Sequence, residues 1–250
     1  MQSIPPVEPG ALLHVFDMDG TLLIGAATVE ISRHLGRLAD GVAIEEAWLR
    51  GAIDNLAFWN RALEIWDGIT EEQIDGAFEA AVWIKGIREV FRDIHHRGER
   101  SIVISQSPHF FVKRLERWGA HATFGSDLRL GEKLREDPTL QPKDKQLITQ
   151  HLLGQWGVSA GNCLAYGDSS SDIDLFRWLP NTVGVNAKGP LADLAVKAYE
   201  GNDLRKAYAL GRSLVDENEK AGTARSKSVV NTSDVLTETA LRQNEGKGDV

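Results

Sequence analysis

Leu12-Leu13-His14-Val15-Phe16-Asp17-Met18-Asp19-Gly20-Thr21 decides how the rest of this chain is read. An apolar run ends in two carboxylates two residues apart, and a glycine and a threonine follow at once. A short apolar run bounded by a turn signal predicts a buried strand, here about 12–16, with acids at its C-terminal end. Open parallel sheets bind ligands outside the carboxyl ends of their strands. Asp17 and Asp19 are therefore candidate site residues. Gly20 allows the backbone to turn sharply and leaves room beside a ligand.

After Thr21 the periodicity becomes helical from about 26 to 83. Apolar positions recur at Val29, Ile31, Leu35 and Leu38, then at Ile44, Ala47 and Trp48, and again through Ile53–Trp59 and Ile74–Ala81. Asp40-Gly41 and Asp67-Gly68 read as turns between helices. Thr70, followed by Gln73, has the form of a capping box. Trp48, Trp59, Trp66 and Trp83 lie in this block; they are expected to form its small core, with one or two facing a cleft.

From Gly86 helices and strands alternate. Helices are expected at 87–96, 108–118, 143–153, 172–178, 190–197 and 203–215, and strands at 101–105, 121–124, 163–166 and 182–186. Residues 126–141 read as irregular. Such alternation predicts an α/β fold, a Rossmann-like, mostly parallel sheet core with an inserted all-helical cap domain. The expected division is a core of 11–25 and 85–215, a cap of 26–84, and a polar, mobile tail of 216–250.

A formal net charge of -8 gives no broad attractive field for phosphate polymers. The expected partner is thus a small molecule, with no nucleic acid and no membrane; the oligomeric state stays open. One cysteine, Cys163, permits no internal disulfide and reads as a small buried hydrophobe. Residues 1–10 are proline-rich and lack the pattern of a secretory signal, and no apolar run reaches the roughly 18 residues a membrane span needs. Cytoplasmic localisation is expected.

Three further segments join the first at expected strand or helix ends: Ile104-Ser105-Gln106-Ser107-Pro108, Pro142-Lys143-Asp144-Lys145 and Gly167-Asp168-Ser169-Ser170-Ser171-Asp172. In order and character the four resemble the motifs of haloacid-dehalogenase-like phosphatases. The helical insert resembles the cap of the phosphoserine-phosphatase-like branch. The resemblance covers about residues 11–200.

It implies a Mg²⁺-dependent phosphomonoesterase acting on a small phosphate ester. Asp17 would attack phosphorus to form an aspartyl-phosphate, and Asp19 would serve as general acid and base. Mg²⁺ would be held by the Asp17 carboxylate, the Asp19 backbone carbonyl and Asp168, with Asp172 behind them or acting through water. Ser105, Gln106, Gly20 and Lys143 would contact the phosphoryl group; Lys143 is preferred to Lys145 because it aligns with the first lysine of the family's K-x-K form. The alternatives are a phosphotransferase or mutase using the same aspartyl-phosphate, and a silent binding protein of the same fold.

Two departures concern the substrate. Phosphoserine phosphatases of this branch carry a glutamate nine residues after the nucleophile, where this chain has Ala26; Glu30 lies one helical turn further on. Gly20 also stands where those enzymes commonly have serine. The expected substrate is therefore another small metabolite, such as a sugar, polyol or amino-alcohol phosphate.

Overall fold

The computed structural model describes residues 10–137 and 139–217. Most of the proline-rich N-terminus and of the expected tail lies outside the described residues. The chain divides into two units, residues 1–211 and 212–250. Every element named below belongs to the first; in the second, residues 212–217 are helical.

The opening run forms β1, Leu13–Phe16, with all four residues buried. It lies inside a six-stranded sheet with β2 (Arg100–Pro108), β3 (Ala122–Ser126), β4 (Cys163–Gly167), β5 (Thr182–Val185) and β6 (Lys197–Tyr199), in the order β3-β2-β1-β4-β5-β6. Every pairing is parallel. Phe16 stands opposite Val103 on one side and Tyr166 on the other. The chain builds outward from β1 through β2 and β3, then returns to place β4 on the free edge of β1. That reversal opens a crevice at the C-terminal end of β1, where Asp17 and Asp19 follow.

Both faces of β1 are covered. Leu13 and Val15 join Ile102, Ile104, Cys163 and Ala165 against Leu152 and Leu153 of α7 (Pro142–Trp156) and Leu175 and Phe176 of α8 (Ile173–Trp178). On the other face Phe16 stacks on Tyr166 and meets the edge of Phe91 from α5 (Ile87–His96). His14 is fully buried there and hydrogen-bonded to Glu99 at 2.9 Å. Cys163 is buried, and burial pushes its thiol upward, which makes it inert.

Between β1 and α5 stand α1 (Ala27–His34), α2 (Leu38–Leu49), α3 (Asn55–Ile65) and α4 (Glu71–Ala80). Their roots pair with each other: Ile24 N–H donates to Val82 O and Ile84 N–H to Leu22 O. Asp40-Gly41 is no turn but lies inside α2. A Cβ on Gly41 would come within 2.6 Å of Ser32 Cβ, so glycine there lets α1 and α2 approach closely. The capping box at Thr70 and Gln73 is present. Trp66 is fully buried and donates to Ser32 Oγ, Trp59 is buried beside it, and Trp83 packs on Phe78, Phe111 and Trp118. The block is fastened to the sheet side by buried Arg114, which reaches Glu71 at 2.7 Å and Asp75 of α4.

Other differences have local causes. β2 runs past Ser105 to Pro108, with a register shift after Ile104, so Pro108 is extended and the following helix α6 is only His109–Val112. Lys113–Trp118 tightens into a 3₁₀ turn instead of continuing it. The helix expected over 190–197 stops at Leu194, and Lys197–Tyr199 forms the edge strand β6. A three-residue edge strand carries too little apolar pattern to be read from sequence.

His121 carries a pH dependence. Its Nδ1 accepts from the Ser101 N–H at 3.1 Å, so the folded state needs the neutral ring. Burial, aided by the Arg100 and His95 charges, pulls it from 6.5 to about 4. A depressed histidine gives stability above its unfolded value that is lost as pH falls through the folded one. Denaturant midpoints should therefore fall between pH 6.5 and about 4, and His121→Gln should flatten that part of the profile.

Candidate active site

Sheet pairing carries one residue past β1, because Asp17 N–H donates to Tyr166 O at 2.9 Å. This fixes the Asp17 carboxylate at the crevice, where it is 5% exposed. Its Oδ1 accepts from Lys145 Nζ at 2.7 Å. The same ammonium donates to Asp172 Oδ1 at 2.7 Å and Ser171 Oγ at 2.9 Å, so all three of its protons are used.

Lys145, not Lys143, meets the carboxylates. Pro142 opens α7, and Asp144 closes a capping box with Gln141. Residues two apart on a helix point about 200° apart, so only one of the two lysines can face the sheet. Lys145 is 1% exposed, while Lys143 lies on the surface.

Asp168 and Asp172 follow β4. Gly167 makes room for Asp172, whose carboxyl sits against the place where a Cβ would be. Asp172 Oδ2 accepts the Asp168 and Ser169 N–H groups at 3.2 and 3.4 Å. Asp172 thus caps its turn and pairs with Lys145 at once. Gly20, at φ +79, lies so close to the Asp168 carboxylate that no side chain fits there. Its N–H points to the Leu23 and Gly25 carbonyls, so within this turn Gly20 supplies room, not a donor to a phosphate. Thr21 Oγ1 donates to Asp168 Oδ1 at 3.4 Å.

Asp17, Asp168 and Asp172 can each aim an oxygen so that all three lie within 4.8 Å of one another. Burial and then the Asp17 charge push Asp168 up to about 8 and Asp172 up to about 6, and burial raises Asp17. Burial alone would lower Lys145, but Asp17 and Asp172 outweigh it and hold the ammonium above its ordinary value. One lysine facing three carboxylates leaves the cluster short of positive charge. Its hard oxygen donors fit Mg²⁺.

Asp19 is held from two sides. Its Oδ1 accepts Ala27 N–H of α1 and its Oδ2 accepts Ser105 Oγ–H, both at 2.7 Å. Ser105 is fully buried, and its oxygen accepts Ser107 N–H at 3.0 Å. Gln106 lines the cavity while its Nε2 donates to Leu140 O at 2.7 Å.

The cavity over these groups has a volume of about 330 Å³. Its far wall comes from α2 and α3: Glu45, Trp48, Asn55, Phe58 and Trp59. Trp48 and Trp59 are thus the tryptophans at the cleft. Glu45 escaped the sequence reading because Ile44-Glu45-Glu46 looks like an ordinary solvated helix face. Burial, then the Asp19 charge, pushes its carboxyl up to about 7. Glu30 is buried and pairs with Arg33 at 3.3 Å.

The haloacid dehalogenase-like hydrolase family model matches residues 14–177. The chain belongs to that family. It is 27% identical over 199 residues to a phosphoserine phosphatase of Idiomarina loihiensis, covering 77% of this chain and 90% of that protein. A phosphoserine phosphatase of Methanocaldococcus jannaschii is 23% identical, over 80% of this chain and 97% of that one. Among solved structures, a substrate-bound phosphoserine phosphatase shares the fold with a TM-score of 0.66 at 21% identity, over 78% of this chain and 96% of its own. Within the family the chain sits on the phosphoserine-phosphatase-like branch and is a phosphatase.

Lys145→Met should lower phosphate release from a generic ester by about 10²–10³-fold, as removal of a charge-stabilising donor does. Lys143→Met should stay near wild type. Steady-state assays on the two variants decide between the lysines.

Proposed function

We propose that this chain hydrolyses a small phosphomonoester through an aspartyl-phosphate on Asp17. The observation that carries the reading is the pinned carboxylate: Asp17 lies at the base of the cavity with one oxygen bonded to the buried Lys145 ammonium. Such a group is oriented for attack and needs no rearrangement before it.

In the first step an Asp17 carboxylate oxygen bonds to phosphorus and the bond to the leaving alcohol breaks. Asp19 delivers a proton to the departing oxygen. In the second step Asp19 takes a proton from water, the water oxygen bonds to phosphorus, and the Asp17–phosphorus bond breaks to free phosphate. The Ala27 N–H and Ser105 hydroxyl hold Asp19 in place for both transfers. Gln106 lines the cavity on the route of the phosphate oxygens, Ser105 acts through Asp19, and Lys145 offsets charge that builds on the transferring group.

Asp17, Asp168 and the Asp19 carbonyl would hold the metal, with Asp172 positioning Asp168 through its N–H. Mg²⁺ bound there supplies the further positive charge that three carboxylates and a phosphate require. Residues 26–84 act as the cap, opening for exchange and closing to exclude water. The paired roots at Ile24–Val82 and Leu22–Ile84 are its hinge. We assign the enzyme to the cytoplasm, whose reducing conditions suit the single buried thiol.

Asp17→Asn should cut phosphate release from p-nitrophenyl phosphate by at least about 10³-fold, as loss of a nucleophile does. EDTA should abolish wild-type release and added Mg²⁺ should restore it. Full turnover by the Asp17→Asn protein would remove the nucleophile assignment, and indifference to EDTA would remove the metal.

A further inference from the structure

The far wall of the cavity has an unusual charge balance. No lysine, arginine or histidine is among the described residues that line it. Glu45 does line it, as does Thr28, and among the described residues no cation pairs with the Glu45 carboxylate. Beside it stands Trp48, 39% exposed, with its indole Nε1 donating to Asn55 Oδ1 at 2.6 Å. Asn55 in turn donates to Asp137 at 3.2 Å, which fixes the ring on the cavity wall. Phe58 and Trp59 complete the surface, their ring centroids 4.7 Å apart.

A carboxylate and an aromatic surface both attract cations. The same wall disfavours a second anion. A carboxylate-bearing ester would bring its charge toward Glu45 and Asp19 with no basic side chain to receive it, and like charges in a poorly solvated cavity repel strongly. A neutral polyol would leave the Glu45 charge without a counter-ion. The cavity, at about 330 Å³, suits a short ligand.

We propose that Glu45 and Trp48 bind a protonated amine, and that the substrate is the phosphate ester of an amino alcohol without a carboxylate. This rests on the phosphatase reading given above. The phosphoryl end lies at Asp17, beside the Lys145 ammonium, and the ammonium end meets the Glu45 carboxylate on the facing wall of the cavity.

The test compares 2-aminoethyl phosphate with its neutral counterpart 2-hydroxyethyl phosphate and with O-phosphoserine, in wild type and in Glu45→Gln. Wild type should favour the amine over the hydroxyl ester by about 10- to 100-fold in kcat/KM, the range of a hydrogen-bonded charge pair. It should also favour it over phosphoserine. In Glu45→Gln the ratio should collapse toward one, mainly through KM of the amine ester. A wild-type ratio near one, a preference for phosphoserine, or a ratio that survives in Glu45→Gln would each overturn the proposal. If wild type releases phosphate from no ester, p-nitrophenyl phosphate included, the phosphatase reading fails instead. The amine site is then judged by binding, through tryptophan fluorescence of the Asp17→Asn protein. Tighter binding of the aminoethyl ester, lost on adding Glu45→Gln, upholds the amine site; equal binding of the two esters overturns it.

Discussion

The Lys145 ammonium, buried between Asp17 and Asp172, is the contact on which the site depends. Three segments far apart in sequence end at it: the turn after β1, the first turn of α7 and the turn after β4. Removing one member of a buried ion pair typically costs about 3–5 kcal/mol, because the remaining charge is left without compensation. Here two carboxylates would be left facing Asp168 as well. The lysine therefore offsets part of what burial does to Asp17 and holds its carboxyl in place, while the oxygens it does not satisfy leave room for a divalent cation.

Sheet topology brings these segments together. β1 is flanked by β2 and β4, so the residues after all three strands converge on one crevice. Two glycines allow that convergence. Gly20 and Gly167 stand where any side chain would strike the Asp168 or Asp172 carboxyl. The spacing of acids and glycines after β1 and β4 is thus a steric requirement of packing carboxylates closely.

Much of this was legible in the sequence because it depends on local pattern. The apolar run before Asp17, the alternation after Gly86 and the helical block after Thr21 each carry a period that periodicity analysis detects. The choice between Lys143 and Lys145 was not legible from alignment with a motif, since it turns on which side of α7 faces the sheet. Asp40-Gly41 misled because a glycine that lets two helices touch looks like one that ends a helix. Glu45 and β6 were missed for a common reason. Each owes its environment to distant segments, Glu45 to the cavity beneath α2 and β6 to its pairing with β5.

The helical block and the sheet divide the work. The sheet end presents the carboxyl groups and the buried lysine, and α2 with α3 presents a wall whose character is set by Glu45 and three aromatic rings. Asp19 links the two, accepting from Ala27 at the start of α1 and from Ser105 on β2. The proposed covalent step at Asp17 is the one from which the other proposed roles follow. Rapid acid quench of the enzyme turning over a radiolabelled phosphate ester, followed by peptide mapping, reads this out. The label is predicted on the peptide carrying Asp17 and absent in Asp17→Asn; label on any other residue, or turnover with no protein-bound label at any quench time, contradicts it.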